Sequence, residues 1–287
     1  MIVAAMLGAV VLSSCSDLKS DLPEASTGSL KIHPDGWATA ASANFHGDAI
    51  RQANWDMRGC RTCHGNNYTG GTVSVSCRTC HTDVLGPEHC NVCHGSTANS
   101  APPRDLGRNT DPSFRGVGEH QIHVLGTVRA QAASCTDCHI YPSGSIYDTL
   151  HIDSNAGKAE VVLSRGLASR ATIGVTPVPV YLEPSGSCSN TYCHGQFKNG
   201  NGTNPMFWNG GAAFSAACGS CHGDITKPTL AERALPKTAA QGGTHPNDLN
   251  CSNASCHGAV VNASLGFTNP SKHIDGRLNI NGQDIGF

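Results

Sequence analysis

The sequence is poor in the residues from which proteins of this length usually build an interior. Aromatic residues make up 5% of its 287 residues, and all apolar residues together make up 38%. Glycine, by contrast, occurs 33 times. A conventional core for a chain of this size is hard to build from such a composition. A formal net charge of −2 also offers no basic surface for nucleic acid. We therefore expect something other than side chains to fill much of the interior.

The first residues, MIVAAMLGAVVLSSC, form an apolar run that is too short to span a bilayer and stops at small residues before Cys15. Such a run is typical of a processed export signal. Leu12 to Cys15 also resembles the lipobox of bacterial lipoproteins, whose cysteine carries a lipid on its sulfur. We therefore predict a signal peptide over 1–14, a lipidated Cys15, and a polar, flexible tether over 15–32. An ordinary secretory signal with an unrelated cysteine is the alternative.

Cysteine is abundant, and its spacing is regular. Fifteen cysteines cannot all pair within one chain, but the fourteen that follow Cys15 fall into seven pairs. Five pairs have two intervening residues: Cys60 and Cys63, Cys77 and Cys80, Cys90 and Cys93, Cys135 and Cys138, and Cys218 and Cys221. Two pairs have four intervening residues: Cys188 and Cys193, and Cys251 and Cys256. Each second cysteine is followed directly by a histidine: His64, His81, His94, His139, His194, His222 and His257.

The C-x-x-C-H pattern is the attachment signal of c-type haem. Both thiols become thioethers on the porphyrin, and the adjacent histidine becomes the proximal ligand of the iron. In CSNTYCH and CSNASCH, a longer loop can close over the same distance by bulging outward, and Ser and Asn suit such a loop. Disulfides and zinc sites also use closely spaced cysteines, but neither requires a histidine after every second one. The pattern therefore predicts seven covalently attached haems c.

The chain combines long-spaced and regular motifs, several of them followed by glycine, with a lipobox-like segment before them. In this it resembles the CxxxxCH/CxxCH multihaem c-type cytochrome lipoproteins of metal-reducing, Geobacter-type bacteria. The resemblance extends from His33 onward and is specific only in the motifs. It implies a loop-rich multihaem cytochrome fold with short helices and a few short β-strands, organised around a chain of covalently bound haems.

Eight further histidines lie outside the motifs. Seven of them would suffice to bind the far side of each iron, and methionine is too scarce beyond the signal peptide to replace them. His120 and His123 would share one face of a helix and so could bind two neighbouring haems. His89, which directly precedes Cys90, is the predicted spare. The predicted distal ligands are His33, His46, His120, His123, His151, His245 and His273.

The spacing of the motifs predicts two modules. Three motifs crowd into 33–100, and four occupy 119–287, where CSNTYCHG recurs as CSNASCHG. The Pro-, Gly- and Asp-rich stretch 101–118 is the predicted linker. β-branched residues in 160–166 and 176–184 favour the two strands of an edge hairpin. We expect short helices around the motifs.

An iron bound by two histidines has no open position for a substrate, so the predicted function is electron transport without catalytic residues. The resemblance implies an exported, lipid-anchored protein, on the periplasmic or cell-surface face of the outer membrane. Its expected partners are other cytochromes or redox proteins of the cell envelope and extracellular metal oxides. A multihaem reductase of the nitrite or hydroxylamine type and a subunit of a polymerised cytochrome filament remain as alternatives. Such reductases often carry C-x-x-C-K, which does not occur here.

Overall fold

The computed structural model describes residues 31–99, 101, 104–142, 144–148, 151–152, 158–203, 206–209 and 217–286. The predicted signal peptide, Cys15 and nearly all of the tether lie outside these ranges. The chain divides into an N-terminal unit that ends at Gln52 and a larger unit that begins at Ala53. The predicted division into 33–100, 101–118 and 119–287 stays a prediction.

The described part of the N-terminal unit, from residue 31, contains consecutive turns followed by helix α1, His46–Gln52. The turns are closed by backbone hydrogen bonds, such as the one from Thr39 N to Gly36 O at 2.9 Å. The backbone N–H and the ring Nδ1 of His46 both lie 2.8 Å from the carbonyl oxygen of Trp37. These two contacts hold the start of α1 against the Trp37 turn.

The larger unit contains short helical segments joined by turns. Its α-helices are α2 (Arg61–His64), α3 (Cys90–Cys93), α4 (His120–Val124) and α5 (Leu230–Ala234). Its 3-10 turns are Arg58–Cys60, Gly71–Val73, Cys77–Thr79, Gly86–Glu88, Cys135–Asp137, Tyr192–His194, Ala239–Gln241 and Pro270–Lys272. Helices this short are unstable alone and depend on tertiary contacts. In the part of the chain that the structure describes, no helix has the length and apolarity needed to cross a membrane.

Within the described ranges, two small antiparallel sheets accompany these helices. The strands are β1 (Val180–Leu182), β2 (Ser187–Ser189), β3 (Met206–Phe207), β4 (Leu278–Ile280) and β5 (Gln283–Ile285). The first sheet has the order β1-β2-β3, and the second pairs β4 with β5. Asn281 and Gly282 between β4 and β5 both have positive φ, at 52° and 71°, as a type I′ hairpin turn requires.

The predicted hairpin between 160–166 and 176–184 is wrong. β1 pairs instead with Ser187–Ser189 across a four-residue turn, and Val161 forms only an isolated bridge with His139. The turn ends at Gly186, whose φ is +64°. Because this turn lets the chain pair locally, the hairpin avoids the larger entropy cost of closing the longer loop.

The protein's own core is small. Eight apolar residues of the described chain are buried, and none of the described side chains is less than 2% exposed. The buried apolar residues are Met57, Tyr68, Ala101, Val117, Leu163, Ala168, Tyr192 and Val260. Large apolar side chains such as Val84 and Val128 are 81% and 79% exposed. The expected loop-rich architecture with short helices and strands is confirmed.

A polar cluster around Glu88 joins separate parts of the larger unit. Its Oε1 accepts hydrogen bonds from the hydroxyls of Tyr68 at 2.7 Å and Tyr147 at 3.2 Å. The guanidinium of Arg61 donates to the same oxygen and lies 5.4 Å from the Tyr68 ring centroid. Partly buried charges with several hydrogen bonds fix local geometry. Helix α2 belongs to the first cysteine motif, and the turn that carries Glu88 directly precedes α3 of the third motif. The cluster therefore connects the first and third motifs.

Candidate functional site

Helical turns position the cysteines and histidines of several motifs. In three motifs, the histidine N–H donates to the carbonyl of the first cysteine, at 2.8 to 2.9 Å. These pairs are His81 with Cys77, His94 with Cys90, and His139 with Cys135. The bond joins residues four positions apart and so closes one helical turn over the five residues of C-x-x-C-H. The turn thereby holds both cysteines and the histidine of a motif in one short rigid segment.

The cysteines of the first two motifs lie near the surface of the larger unit as free thiols. Cys60 and Cys80 are exposed, and Cys63 and Cys77 are partly buried. The Cys63 carbonyl accepts a hydrogen bond from the Thr72 hydroxyl at 3.2 Å, and the Cys80 N–H donates to the Cys77 carbonyl at 3.2 Å. These bonds hold the backbone of each motif. The roles of Cys60, Cys63, Cys77 and Cys80 in haem attachment stay predictions.

The first long motif does not bulge outward as expected. Its insert turns at Asn190, whose φ is +56°, and then enters the protein, where Thr191 and Tyr192 are each 4% exposed. The Tyr192 N–H donates to the Ala168 carbonyl at 2.8 Å, and its hydroxyl accepts from the N–H of Gly276 at 3.1 Å. The extra residues therefore anchor this motif to distant segments.

The insert of the second long motif bulges outward, as expected. Residues 253–255 of its insert are exposed, and Cys251 and Cys256 on either side are partly buried. The Asn253 side chain accepts from the Ser255 N–H at 2.9 Å, a local bond that supports the turn. The two inserts therefore share sequence but differ in burial.

The motif cysteines are free thiols, and most are partly buried. All fourteen lie in the described residues, and none forms a disulfide. Burial raises the pKa of four of these thiols to about 11, because the thiolate would lose its hydration. The four are Cys93, Cys138, Cys188 and Cys193. These sulfurs are neutral near pH 7.

Five motif histidines each face a histidine from outside the motifs. The ring centroids within each pair lie 6.0 to 6.3 Å apart. The pairs are His94 with His151, His139 with His120, His194 with His123, His222 with His273, and His257 with His245. Metal–imidazole bonds in proteins are about 2 Å long. A metal bound between one nitrogen of each ring would hold the centroids at nearly the observed separation.

All five of the non-motif partners direct their ring Nδ1 at a backbone carbonyl. The distances run from 2.6 to 2.9 Å. The acceptors for His120, His123, His151, His245 and His273 are the carbonyls of Val117, Glu119, Ile146, Pro246 and Arg129. A carbonyl can only accept, so Nδ1 carries the proton and Nε2 of the neutral ring keeps a lone pair. Metal-binding histidines usually hold their other ring nitrogen in this way.

Burial favours the neutral form of five of the ten paired rings. It lowers the pKa of His120, His194 and His222 to about 4. The pKa values of His94 and His273 are also lowered, again first through burial. A neutral imidazole can bind iron, whereas an imidazolium cannot. Together with the paired thiols, these rings form a donor set that fits c-type haem.

The Nδ1 of His89 has the opposite hydrogen-bonding role from that of the five partner histidines. Its Nδ1 accepts a hydrogen bond from the Asn91 N–H at 3.3 Å and so caps α3. An accepting Nδ1 puts the proton of the neutral ring on Nε2, the reverse of the five partners. Its Nδ1 also lies 3.7 Å from an Asp83 carboxylate oxygen. Because Nδ1 carries no proton in the capping arrangement, this contact is not an ion pair there. The geometry agrees with His89 as the spare histidine, which stays a prediction.

His33 and His46 lie in the N-terminal unit on either side of Trp37. The His33 ring stacks on the indole, with centroids 4.5 Å apart and planes at 9°. The His46 ring lies 6.3 Å from the same indole, at 47°. His64 and His81 belong to the larger unit, and His64 directs Nδ1 at the Val75 carbonyl at 3.0 Å. The predicted ligand roles of these four histidines stay predictions.

Neighbouring motifs of the larger unit lie against one another. Helix α4 carries both His120 and His123, so it reaches the motif of His139 and that of His194. The sulfur of Cys221 lies 3.9 Å from the carbonyl oxygen of Cys193. Three consecutive motifs therefore form a contiguous group. Sequence reasoning found all of these histidines but not which ones face each other.

Comparison with known proteins gives one match. A family model described as the Geobacter CxxxxCH...CXXCH motif matches residues 187–222. This segment holds CSNTYCH and the regular motif that follows it, two of the seven motifs. No curated protein and no solved structure matches the chain.

Proposed function

We propose that this chain is a multihaem c-type cytochrome of the Geobacter type and carries electrons along haems held at all seven motifs; the family match over 187–222 supports the proposal. The observation that carries the proposal is the set of five histidine pairs with carbonyl-bound Nδ1 atoms. Haem iron held by two imidazoles supplies reversible one-electron exchange, with reduction potentials set by its ligands and surroundings.

Within each pair, the motif histidine is the proximal ligand and its partner the distal ligand. The two cysteines of the motif attach the porphyrin beside the proximal histidine. The backbone carbonyls fix each distal ring with Nε2 directed away from its hydrogen bond. With two imidazoles committed to each of these five sites, no coordination position is left there for a substrate. This arrangement supports a carrier rather than a reductase.

The exposed apolar surface supports the same proposal. Helix α4 carries two of the distal ligands, yet its Ile122 is 50% exposed, and Leu125, directly after the helix, is 59% exposed. Apolar side chains next to a porphyrin would be covered by its faces and edges, with the usual gain from removing apolar area from water. Haems would thus supply much of the interior that the composition lacks.

The setting of this electron transfer is the cell envelope. The lipobox-like segment before Cys15 supports export and a lipid anchor at the outer membrane, on its periplasmic or cell-surface face. Electrons would then pass to partner cytochromes or other redox proteins of the envelope, and toward extracellular acceptors such as metal oxides.

The proposal is tested on the mature holoprotein, produced with a haem-attachment system. Its intact mass should include seven haem increments, and its reduced haems should not bind carbon monoxide. Removal of one distal ligand, in His245→Ala, should create one haem that binds carbon monoxide. The matched control, His89→Ala, should create none.

Two results would overturn the proposal. One is a mature protein without covalent haem. The other is a wild-type haem that is high-spin, binds nitrite or hydroxylamine and reduces it, which would establish the reductase alternative.

A further inference from the structure

One indole contacts two of the predicted distal ligands. The ring of Trp208 lies edge-on to His120, with centroids 4.6 Å apart and planes at 90°. The same ring lies 5.6 Å from His123, with planes at 35°. His120 and His123 belong to different histidine pairs, so Trp208 lies at the junction of two neighbouring sites.

Trp208 is itself held firmly. Its Nε1–H donates to the Arg115 carbonyl at 2.8 Å, and its backbone N–H donates to the Gly186 carbonyl at 2.7 Å. The next residue, Asn209, donates from its side chain to the Ser113 carbonyl at 2.8 Å. These bonds fasten the end of β3 to the segment that leads into α4. The indole is therefore fixed relative to the helix that carries both ligands.

Gly118 allows this close approach. Its φ is +42°, and a Cβ atom at this position would clash with the indole nitrogen of Trp208. A glycine two residues before His120 therefore gives the indole the space to lie against both imidazoles.

We propose that Trp208 is a positioning residue that sets the ring planes of His120 and His123, and so the ligand geometry of two neighbouring haems. This inference rests on the proposed function. The carbonyl bond of each ring fixes where Nδ1 points, but the ring can still swing about that direction. Edge and face contacts between aromatic rings are worth about 0.5–1.5 kcal/mol and restrict this swing.

The angle between the two imidazole planes differs between the two sites, so the indole would hold each ring in a different orientation. The His120 and His139 rings are near parallel, at 24°, and the His123 and His194 rings are near perpendicular, at 77°. The Trp208 ring is perpendicular to the His120 ring and tilted by 35° from the His123 ring. In the N-terminal unit, Trp37 makes comparable contacts with His33 and His46.

The test compares Trp208→Leu, which removes the ring contacts, with Trp208→Phe, which keeps an aromatic ring but loses the N–H donor. Electron paramagnetic resonance of the oxidised holoprotein reports the relative orientation of the two imidazole planes at each low-spin haem. Trp208→Leu should alter the signals of two of the seven haems, one near-parallel and one near-perpendicular. Trp208→Phe should restore at least one of them.

Trp55→Leu is the matched control. Trp55 is partly buried in the same unit and has no ring contact with a histidine within the described residues, so its replacement should leave all haem signals unchanged. Unchanged signals in Trp208→Leu would overturn the inference, while the wild-type low-spin signals and haem count would leave the proposed function intact. If Trp208→Leu does not mature, a signal change in Trp208→Phe that is confined to these two haems supports the inference, because the variant loses the Nε1–H bond that holds the ring; wild-type signals at both sites, or disturbance of other haems, overturn it.

Discussion

At the scale of single residues, backbone carbonyls decide which ring nitrogen is available to a metal in each of the five non-motif histidines of the pairs. The acceptor for His273 is the carbonyl of Arg129, far away in the sequence, and the acceptor for His245 is that of Pro246, its immediate neighbour. The same chemical result is thus reached by long-range packing at one site and by local chain geometry at another. Asparagine or glutamine could fill neither position, because each lacks a ring that donates on one side and binds on the other.

The angles within the histidine pairs predict two kinds of low-spin signal. The pairs of His139 and His257 are near parallel, at 24° and 16°, and the pairs of His194 and His222 are near perpendicular, at 77° and 81°. Near-parallel ligands give rhombic low-spin signals, and near-perpendicular ligands give strongly anisotropic ones. The oxidised protein should show both in its paramagnetic resonance spectrum. A spectrum with rhombic signals alone would contradict these ring orientations.

The sequence identified the cysteines and histidines as candidates but did not indicate which histidines face each other. Covalent attachment requires cysteines and a histidine at fixed spacing, so the motifs could be recognised from the letters alone. A histidine that binds the far side of an iron needs no fixed spacing from the motif in the sequence. His245 pairs with the histidine of the next motif, but His273 pairs with His222 and passes over the nearer His257. Only tertiary structure selects these partners.

At the scale of elements, α4 and the loop before it position His120 and His123, the two proposed ligands. Gly118→Ala should disturb it, because the added methyl group would push Trp208 away and occupy a conformation with φ of +42°. Gly174 has a similar positive φ of +76°, but a Cβ there meets nothing within 4 Å. Both substitutions carry a conformational cost of about 1–2 kcal/mol.

Gly118→Ala should therefore lower the free energy of unfolding by more than Gly174→Ala does, and should also open up to two haems to carbon monoxide. Chemical unfolding of the two holoproteins, together with carbon monoxide titration, measures both effects. Equal destabilisation and no carbon monoxide binding in either variant would contradict the close packing.

The buried insert of the first long motif gives a second prediction at this scale. Tyr192→Phe removes the hydroxyl that accepts from the N–H of Gly276, which is buried. A buried donor left without a partner costs about 1–3 kcal/mol. The control, Ser255→Ala, lies in the exposed insert of the other long motif and should change stability by less than about 0.5 kcal/mol. Unfolding midpoints of the two variants should differ accordingly, and equal midpoints would argue against an anchoring role for Tyr192.

The predicted secondary structure was correct where residues close together in the sequence determine it. Short helices around motifs were expected, and α2, α3 and the turn Cys135–Asp137 all contain motif residues. His120 and His123 do lie in one helix, the case in which the sequence placed both on one face. The hairpin failed because β-branched composition does not identify a strand's partner, and the turn that ends at Gly186 favoured a local one.

At the scale of the whole molecule, the polypeptide contributes little apolar core of its own. Eight buried apolar residues are few for the described length, and many large apolar side chains remain exposed. The same sequence produced without haem attachment should therefore lack a cooperative unfolding transition, because too little apolar area is buried to offset the entropy of ordering the chain. Calorimetry and near-ultraviolet circular dichroism would measure this. A sharp transition in the haem-free chain would contradict it.

Helix α4 also has a consequence for how fast charge can move. His120 and His123 are separated by three positions of one helix, a rise of about 4.5 Å along its axis. Because tertiary contacts hold this short helix in place, both histidines would move together with it, and the distance between two irons bound to them would change little. Electron tunnelling between the two proposed haems should then proceed at a similar rate in different molecules.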